Sequence, residues 1–136
     1  MAFAIFSSVV AIPALLTAGA SDGTWQLLHQ DTPYAVRYYD MENAVRLSPE
    51  KMQVWTKTVP TEKGNPRIKE VDSLWEFDCP RRLFRNIQTK VVYTSGDTEE
   101  SHEPREWSTV RQDLWVGALQ EIACEKAAER REHEVR

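Results

Sequence analysis

The chain of 136 residues contains few of the residue types that build common enzyme sites. It has two cysteines, three histidines and five glycines. The histidines lie at positions 29, 102 and 133, and nothing in the chain has the spacing of a metal site. No glycine-rich phosphate loop and no nucleophile elbow occurs. The sequence therefore predicts a non-enzymatic protein that uses no cofactor and no metal.

An excess of basic residues is also missing. Lysine and arginine total 17 against 21 aspartates and glutamates, which gives a formal net charge of −4. Binding to a phosphate backbone needs a basic surface. Nucleic acid is therefore excluded as the expected partner.

The first 20 residues contain no charged side chain. Their apolar run, Phe3 to Leu16, is shorter than the roughly 20 residues of a membrane span but has the length of a signal peptide core. Ala18-Gly19-Ala20 has the small-x-small pattern of a cleavage site. An uncleaved membrane anchor is the alternative, because no Lys or Arg precedes the apolar run. We predict a signal peptide over 1–20, an exported domain over 21–124 without a membrane anchor, and a charged helical tail over 125–136. The expected location is periplasmic or secreted.

Runs of β-branched and aromatic residues, separated by turn residues, predict strands over most of the domain. Ser48-Pro49-Glu50-Lys51 predicts a hairpin turn before the strand Lys51 to Val59. Asp40 is placed to cap a polar turn over 41–44. The mixed pattern over 81–94 predicts a bulge. From about Arg111 apolar residues recur with the helical period, which predicts a helix whose apolar stripe packs on the sheet. That stripe consists of Leu114, Trp115, Ala118, Leu119, Ile122 and Ala123.

The stretch 74–79, Leu-Trp-Glu-Phe-Asp-Cys, is the predicted strand on which the rest of the fold is expected to pack. As a strand it places Trp75, Phe77 and Cys79 on one face, which we predict to be buried. It places Leu74, Glu76 and Asp78 on the other, which we predict to face water. Export to an oxidising compartment favours a bridge to the second cysteine, Cys124, with two unconnected buried thiols as the alternative. Closing that loop stabilises a fold by about 4 kcal/mol on the chain-entropy account.

The helical arithmetic conflicts with that bridge. Cys124 falls nearly opposite the middle of the predicted apolar stripe, beside Gly117 and Gln120. A disulfide to the sheet then requires the helix to end, tilt or distort near Ile122.

A group of basic residues is the predicted partner-binding surface. A separate basic face on an acidic protein would attract an acidic protein partner, and charge spread for solubility is the alternative interpretation. Tyr34, Tyr38, Tyr39 and Trp107 are candidate interface anchors or packing residues. The basic group comprises Lys57, Lys63, Arg67, Lys69, Arg81, Arg82 and Arg85.

Two carboxylates offer the less favoured enzymatic alternative. Glu76 and Asp78 lie on the same strand face, about 7 Å apart by strand geometry. Such a pair suits acid–base work, as in a small hydrolase, or cation binding. An exposed polar face accounts for the two residues equally well.

An ordered set of motifs from Trp25 to Cys124 resembles the bacterial surface-adhesin protein E-like family. The resemblance is carried by Tyr38-Tyr39-Asp40 with its polar turn, by Val54-Trp55, and by the stretch 74–79 with Arg81-Arg82 behind it. Trp107 and the run Leu114 to Cys124 complete the set.

The resemblance implies an α+β fold, with one antiparallel sheet of about six strands and a C-terminal helix held by a disulfide, here between Cys79 and Cys124. It implies a surface protein that binds host proteins such as vitronectin, laminin and plasminogen, and that can form a homodimer. The chain departs from the family in lacking a lipid-attachment cysteine and in adding a charged tail. These departures favour the alternative of a soluble periplasmic structural or regulatory component.

Overall fold

The computed structural model describes residues 24–28 and 32–135. The predicted signal peptide, residues 1–20, lies outside these ranges. The described part forms one antiparallel sheet of seven strands with one helix, which confirms the predicted fold class. The elements are β1 (Gln26–Leu27), β2 (Ala35–Ser48), β3 (Lys51–Pro60), β4 (Ile68–Asp78), β5 (Leu83–Tyr93), β6 (Thr98–Ser101), β7 (Ser108–Thr109) and α1 (Trp115–Val135).

The strands follow one another in space in the order of the chain, β1 to β6, with β7 as a second neighbour of β5. β6 pairs with residues 89–92 and β7 with residues 83–84, so both lie on the outer edge of β5. This simple meander arises because each strand is joined to the next by a short connection. Of the described helices, none has the length and apolar character needed to cross a membrane.

One face of the sheet, which we call the helix face, packs against α1. Cross-strand pairs Met52–Phe77 and Val54–Trp75 lie on it. They form a buried core with Val116, Leu119 and Ala123 of the helix. The burial predicted for Phe77 is confirmed, and Trp75 packs half-buried against the same core.

The predicted disulfide is present. Cys79, directly after β4, is bonded to Cys124 of α1, and their Cα atoms lie 5.6 Å apart. The helix runs unbroken from Trp115 to Val135. Of the three expected alternatives, that the helix ends, tilts or distorts near Ile122, the first was therefore wrong.

The buried face of the helix is rotated from the predicted apolar stripe, and this rotation lets an unbroken helix bring Cys124 to the sheet. Val116, Leu119, Gln120 and Ala123 are buried, whereas Leu114 precedes the helix and is 42% exposed. Burying Gln120 turns Cys124 toward the sheet. The apolar period alone did not indicate this rotation because Gln120 is polar.

The single turn predicted over 41–44 is instead part of β2, where the pairing with β3 shifts between Asp40 and Val45. A carboxylate oxygen of Asp40 accepts a hydrogen bond from the backbone N–H of Asn43. The bulge predicted within 81–94 is present, because the register of β5 with β4 shifts next to Ile87. Arg85 therefore lies on the opposite face of the sheet from Asn86 and Thr89.

We call the face opposite the helix the second face. It carries Glu76 and Asp78, and the prediction that they face water was wrong, because they are only 4% and 3% exposed. The side chain of Arg85 and the ring of Trp107 lie over this face and shield it from solvent.

Candidate functional site

The buried carboxylates of the second face are bound by arginines. The Oε2 atom of Glu76 accepts a hydrogen bond from Nε of Arg85 at 3.0 Å and lies 2.9 Å from Nη2 of the same guanidinium. Asp78 accepts one from Arg81 at 2.9 Å. Charge-assisted hydrogen bonds between a guanidinium and a carboxylate are stronger than those between neutral groups. Arg81 and Arg85 thus compensate the buried negative charges of Asp78 and Glu76.

Two tryptophan rings, each in contact with a cation, also lie over the second face. The Cζ of Arg85 lies 4.4 Å from the centre of the Trp107 ring, and Nζ of Lys51 lies 5.7 Å from the same ring. Nζ of Lys57 lies 4.7 Å from the Trp25 ring and 3.9 Å from a carboxylate oxygen of Glu70. Lys57 is therefore engaged within the fold.

Asp72 is another buried carboxylate of this face, and its charged neighbours are two lysines and Glu70 rather than an arginine. Burial raises the pKa of its carboxyl to about 7, and a hydrogen bond with Glu70 acts in the same direction. The positive charges of Lys57 and Lys90 act to lower that pKa. Its Oδ1 atom is buried without a hydrogen-bond partner. Asp72 was not singled out in the sequence, where it is one more polar residue in an alternating strand.

The seven predicted basic residues do not form one patch. Lys63, Arg67 and Lys69 lie where β4 begins, whereas Arg81 and Arg82 lie just after it ends. β4 has 11 residues. At roughly 3.3 Å per residue the two groups are about 35 Å apart. Only a partner of considerable size could contact both ends at once.

The basic loop, residues 61–67, has a fixed backbone. The N–H of Thr61 donates to the carbonyl of Tyr34 at 2.9 Å, and the N–H of Thr94 donates to the carbonyl of Arg67 at 2.8 Å. A Cβ at Gly64 would collide with the Tyr34 carbonyl, so glycine allows this close approach. The loop is therefore attached to the neighbouring chain segments on both sides.

The side chains at this end of the sheet are available for binding. Tyr34 is 60% exposed, and Lys63, Arg67 and Lys69 are exposed as well. None of these three cations has a carboxylate partner within the described part of the chain. Arg82, at the other end of the sheet, is also exposed and outside the ion pairs, with a positive φ of 55°.

Of the four predicted aromatic anchors, only Tyr34 stands out from the surface. Tyr38 and Tyr39 are half-buried in β2, and Trp107 is half-buried under Arg85 and Lys51. The structure thus places one exposed aromatic ring at the same end of the sheet as three cations that have no ion-pair partner among the described residues.

The sequence of the chain matches one known protein family. The family model of surface-adhesin protein E matches residues 25–125. No curated protein and no solved structure matches the chain. The match covers the whole sheet and the helix as far as the disulfide.

Proposed function

Because this chain belongs to the surface-adhesin protein E family, we propose that it acts by binding an acidic protein partner through the end of the sheet that carries the basic loop. The proposed interface consists of Tyr34, Lys63, Arg67 and Lys69. The observation that supports it most is that these three cations, which have no ion-pair partner in the described part of the chain, are exposed at the same end of the sheet as the exposed Tyr34.

The fixed backbone of the basic loop favours binding. Association costs free energy for every segment that must become ordered, and a loop already attached through Thr61 and Arg67 requires little ordering. Tyrosine and arginine are the residue types enriched among the dominant contacts of interfaces. The cations would raise the rate of encounter with an acidic surface at low salt.

We further propose that the protein is non-enzymatic and is exported to the periplasm or secreted. Its proposed partner is a host matrix or serum protein, or an envelope protein. Fractionation of the native cells tests the location: protein recovered from the periplasm or the medium, with residues 1–20 removed, supports export. Protein found only in the cytoplasm contradicts it.

Charge reversal tests the interface. Purified vitronectin, laminin and plasminogen are immobilised as probes, and the binding of the disulfide-bonded domain is measured. The triple variant Lys63→Glu, Arg67→Glu, Lys69→Glu should weaken binding at least about tenfold, mainly through slower association. The matched control is Arg82→Glu, an exposed arginine at the far end of the sheet.

A substitution that adds positive charge to the loop tests the same interface in the other direction. Glu62→Lys adds a cation to the same exposed loop and should strengthen binding, with a steeper dependence on salt. Equal binding by the wild type and the triple variant would contradict the proposed interface. Equal losses in the triple variant and in Arg82→Glu would contradict its location.

A second candidate function is that of a periplasmic structural or regulatory component that forms a homodimer. It is favoured by apolar side chains on β2, close to the edge of the sheet. Val45 and Leu47 are 51% and 49% exposed. Exposed apolar side chains that lie close together can pack against a second copy of the protein.

Light scattering over a range of concentrations tests the homodimer. A dimer that the Val45→Lys variant converts to a monomer supports the edge of β2 as the interface. A wild-type protein that is monomeric at every concentration rejects this candidate.

A further inference from the structure

A groove of about 360 Å³ opens at the outer edge of β5, between its two short neighbours β6 and β7. The rings of Trp75 and Phe84 line it, together with Ser73, Arg85 of β5, and Arg105 and Glu106 of the segment before β7. Its volume lies in the range of small-molecule sites. It shares no residue with the basic loop, so it is separate from the proposed protein interface.

The aromatic part of the groove is held in place. Nε1 of Trp75 donates to Oγ1 of Thr56 at 2.8 Å. The Trp115 ring meets the Trp75 ring edge-on with centroids 5.0 Å apart, and the Phe84 centroid lies at 5.9 Å. The indole therefore has a fixed orientation before any ligand arrives.

The polar border is fixed through Asn86. Its side-chain amide donates to the carbonyls of Leu74 and Gln88 and accepts a hydrogen bond from Oγ1 of Thr89. Its backbone carbonyl accepts the N–H of Arg105 at 2.8 Å. This bond holds the backbone that carries the Arg105 and Glu106 side chains beside the groove.

Several polar side chains of the groove have no partner in the described parts of the chain. Ser73 is only 8% exposed, and its hydroxyl makes no hydrogen bond. The guanidinium of Arg105 and the carboxylate of Glu106 are exposed and form no ion pair, and the Ser108 hydroxyl is also without a hydrogen bond. These hydroxyl, guanidinium and carboxylate groups give the groove unused capacity to donate and accept hydrogen bonds.

We propose that this groove binds one pyranose ring of a saccharide. A sugar ring presents an apolar C–H face, suited to an aromatic floor, and a rim of hydroxyls that both donate and accept. Arg105 can donate to that rim, Glu106 can accept from it, and the Ser73 hydroxyl can do both. Other ligand classes fit less well. A purely apolar ligand would leave Ser73 unpaired, and a bare phosphate would make no use of the indole and would meet the negative charge of Glu106.

Arg105 gives the site a preference among sugars. A guanidinium binds a carboxylate with two parallel hydrogen bonds. A sugar acid with its carboxylate toward Arg105 is therefore held more tightly than the matching neutral sugar.

The test uses the disulfide-bonded domain and two soluble probes, methyl β-D-glucopyranoside and methyl β-D-glucuronide. NMR titration with millimolar sugar should shift the indole N–H signal of Trp75 and the side-chain amide signals of Asn86. The glucuronide should bind more tightly than the glucoside. Absence of any shift at Trp75 with both probes would overturn the proposal.

Exposed-residue variants keep the test independent of folding. Arg105→Ala should weaken the glucuronide about tenfold and remove its advantage over the glucoside, because one charge-assisted contact is lost. Glu106→Gln should weaken both sugars together. The matched control Arg82→Ala should change neither. An unchanged preference in Arg105→Ala, or shifts confined to signals outside the groove, would overturn the proposal.

Discussion

Buried carboxylates on the second face of the sheet differ in whether a guanidinium reaches them. Glu76 and Asp78 each bind an arginine, whereas Asp72 faces Lys57 and Lys90 from the neighbouring strands and Glu70 from its own strand. Taking a carboxylate out of water is costly unless a partner compensates. The two kinds of residue should therefore respond oppositely to substitution.

Asp72 should make the fold less stable as the pH rises. The pKa of its carboxyl is about 7 in the fold against an ordinary 3.8, so the folded state favours the protonated form. Its stabilising contribution is fully present below about pH 3.8 and is lost as the pH rises through about 7. Asp72→Asn resembles the protonated form, and its advantage over wild type should grow by roughly 2 to 3 kcal/mol between pH 5 and pH 8.

Urea unfolding at pH 5, 6, 7 and 8 measures this difference. The control Glu121→Gln alters an exposed carboxylate on the helix and should show no such trend. A gain for Asp72→Asn that is the same at all four pH values would refute the assignment to this carboxyl.

Arg85 should matter more for stability than an ordinary surface arginine. Arg85→Ala leaves Glu76 buried without its guanidinium and also removes the stacking on Trp107. We expect a loss of about 3 kcal/mol in the free energy of unfolding, since breaking a buried ion pair leaves an uncompensated charge. Arg82→Ala, at an exposed position, should stay within about 0.5 kcal/mol of wild type. Denaturant unfolding of both variants measures these losses in the free energy of unfolding. Similar small losses in Arg85→Ala and Arg82→Ala would contradict the prediction and would show that Glu76 is well solvated.

At the scale of elements, the start of α1 depends on a close backbone approach. Gly117 is buried against the turn that precedes the helix, and a Cβ there would lie 2.7 Å from the Arg111 carbonyl oxygen and 2.7 Å from the Gln112 Cα. These are backbone atoms, which cannot move aside cheaply. The close approach made by Gly117 is to this turn, whereas Cys124 makes the covalent contact with the sheet.

Gly117→Ala should therefore destabilise the protein even though alanine is the better helix former. The helix propensity gain of roughly 1 kcal/mol is outweighed by steric crowding, and we expect a net loss of about 2 kcal/mol. Glu121→Ala, at an exposed position of the same helix, should be nearly neutral or slightly stabilising. Thermal unfolding compares the two; a higher Tm for Gly117→Ala would show that the turn can shift.

At the scale of the whole molecule, the disulfide joins the last element to the middle of the sheet. Cys79 and Cys124 are 45 residues apart. The loop that they close contains β5, β6, β7 and the first half of α1. A long closed loop restricts the unfolded chain strongly.

Replacing both cysteines by serine should lower the free energy of unfolding by about 4 kcal/mol. Reduction of the wild type should have a similar effect, and the reduced wild type serves as the control for the substitutions themselves. An unfolding midpoint that changes with neither treatment would show that the bond does not stabilise the fold.

Much of the fold follows from local sequence patterns. The period-two alternation of 51–59 and 74–79 predicts two strands, and the turn at 48–51 predicts a hairpin that joins the first of them to the strand before it. The mixed pattern over 81–94 predicted the bulge in β5, whereas the turn expected after Asp40 is a shift of register within β2. These features are local, because turn chemistry and side-chain alternation act over a few residues.

The sequence by itself determined which residues alternate in strands, where the chain turns, and which two cysteines can pair. Only the tertiary structure decided that Glu76 and Asp78 are buried, because alternation shows which side chains share a face but not what covers it. The bulge at Ile87 placed Arg85 beside Glu76, since a shift of one residue moves a side chain to the opposite face. The length of β4 likewise divided the predicted basic group between the two ends of the sheet, with Lys63, Arg67 and Lys69 at the end where Tyr34 lies.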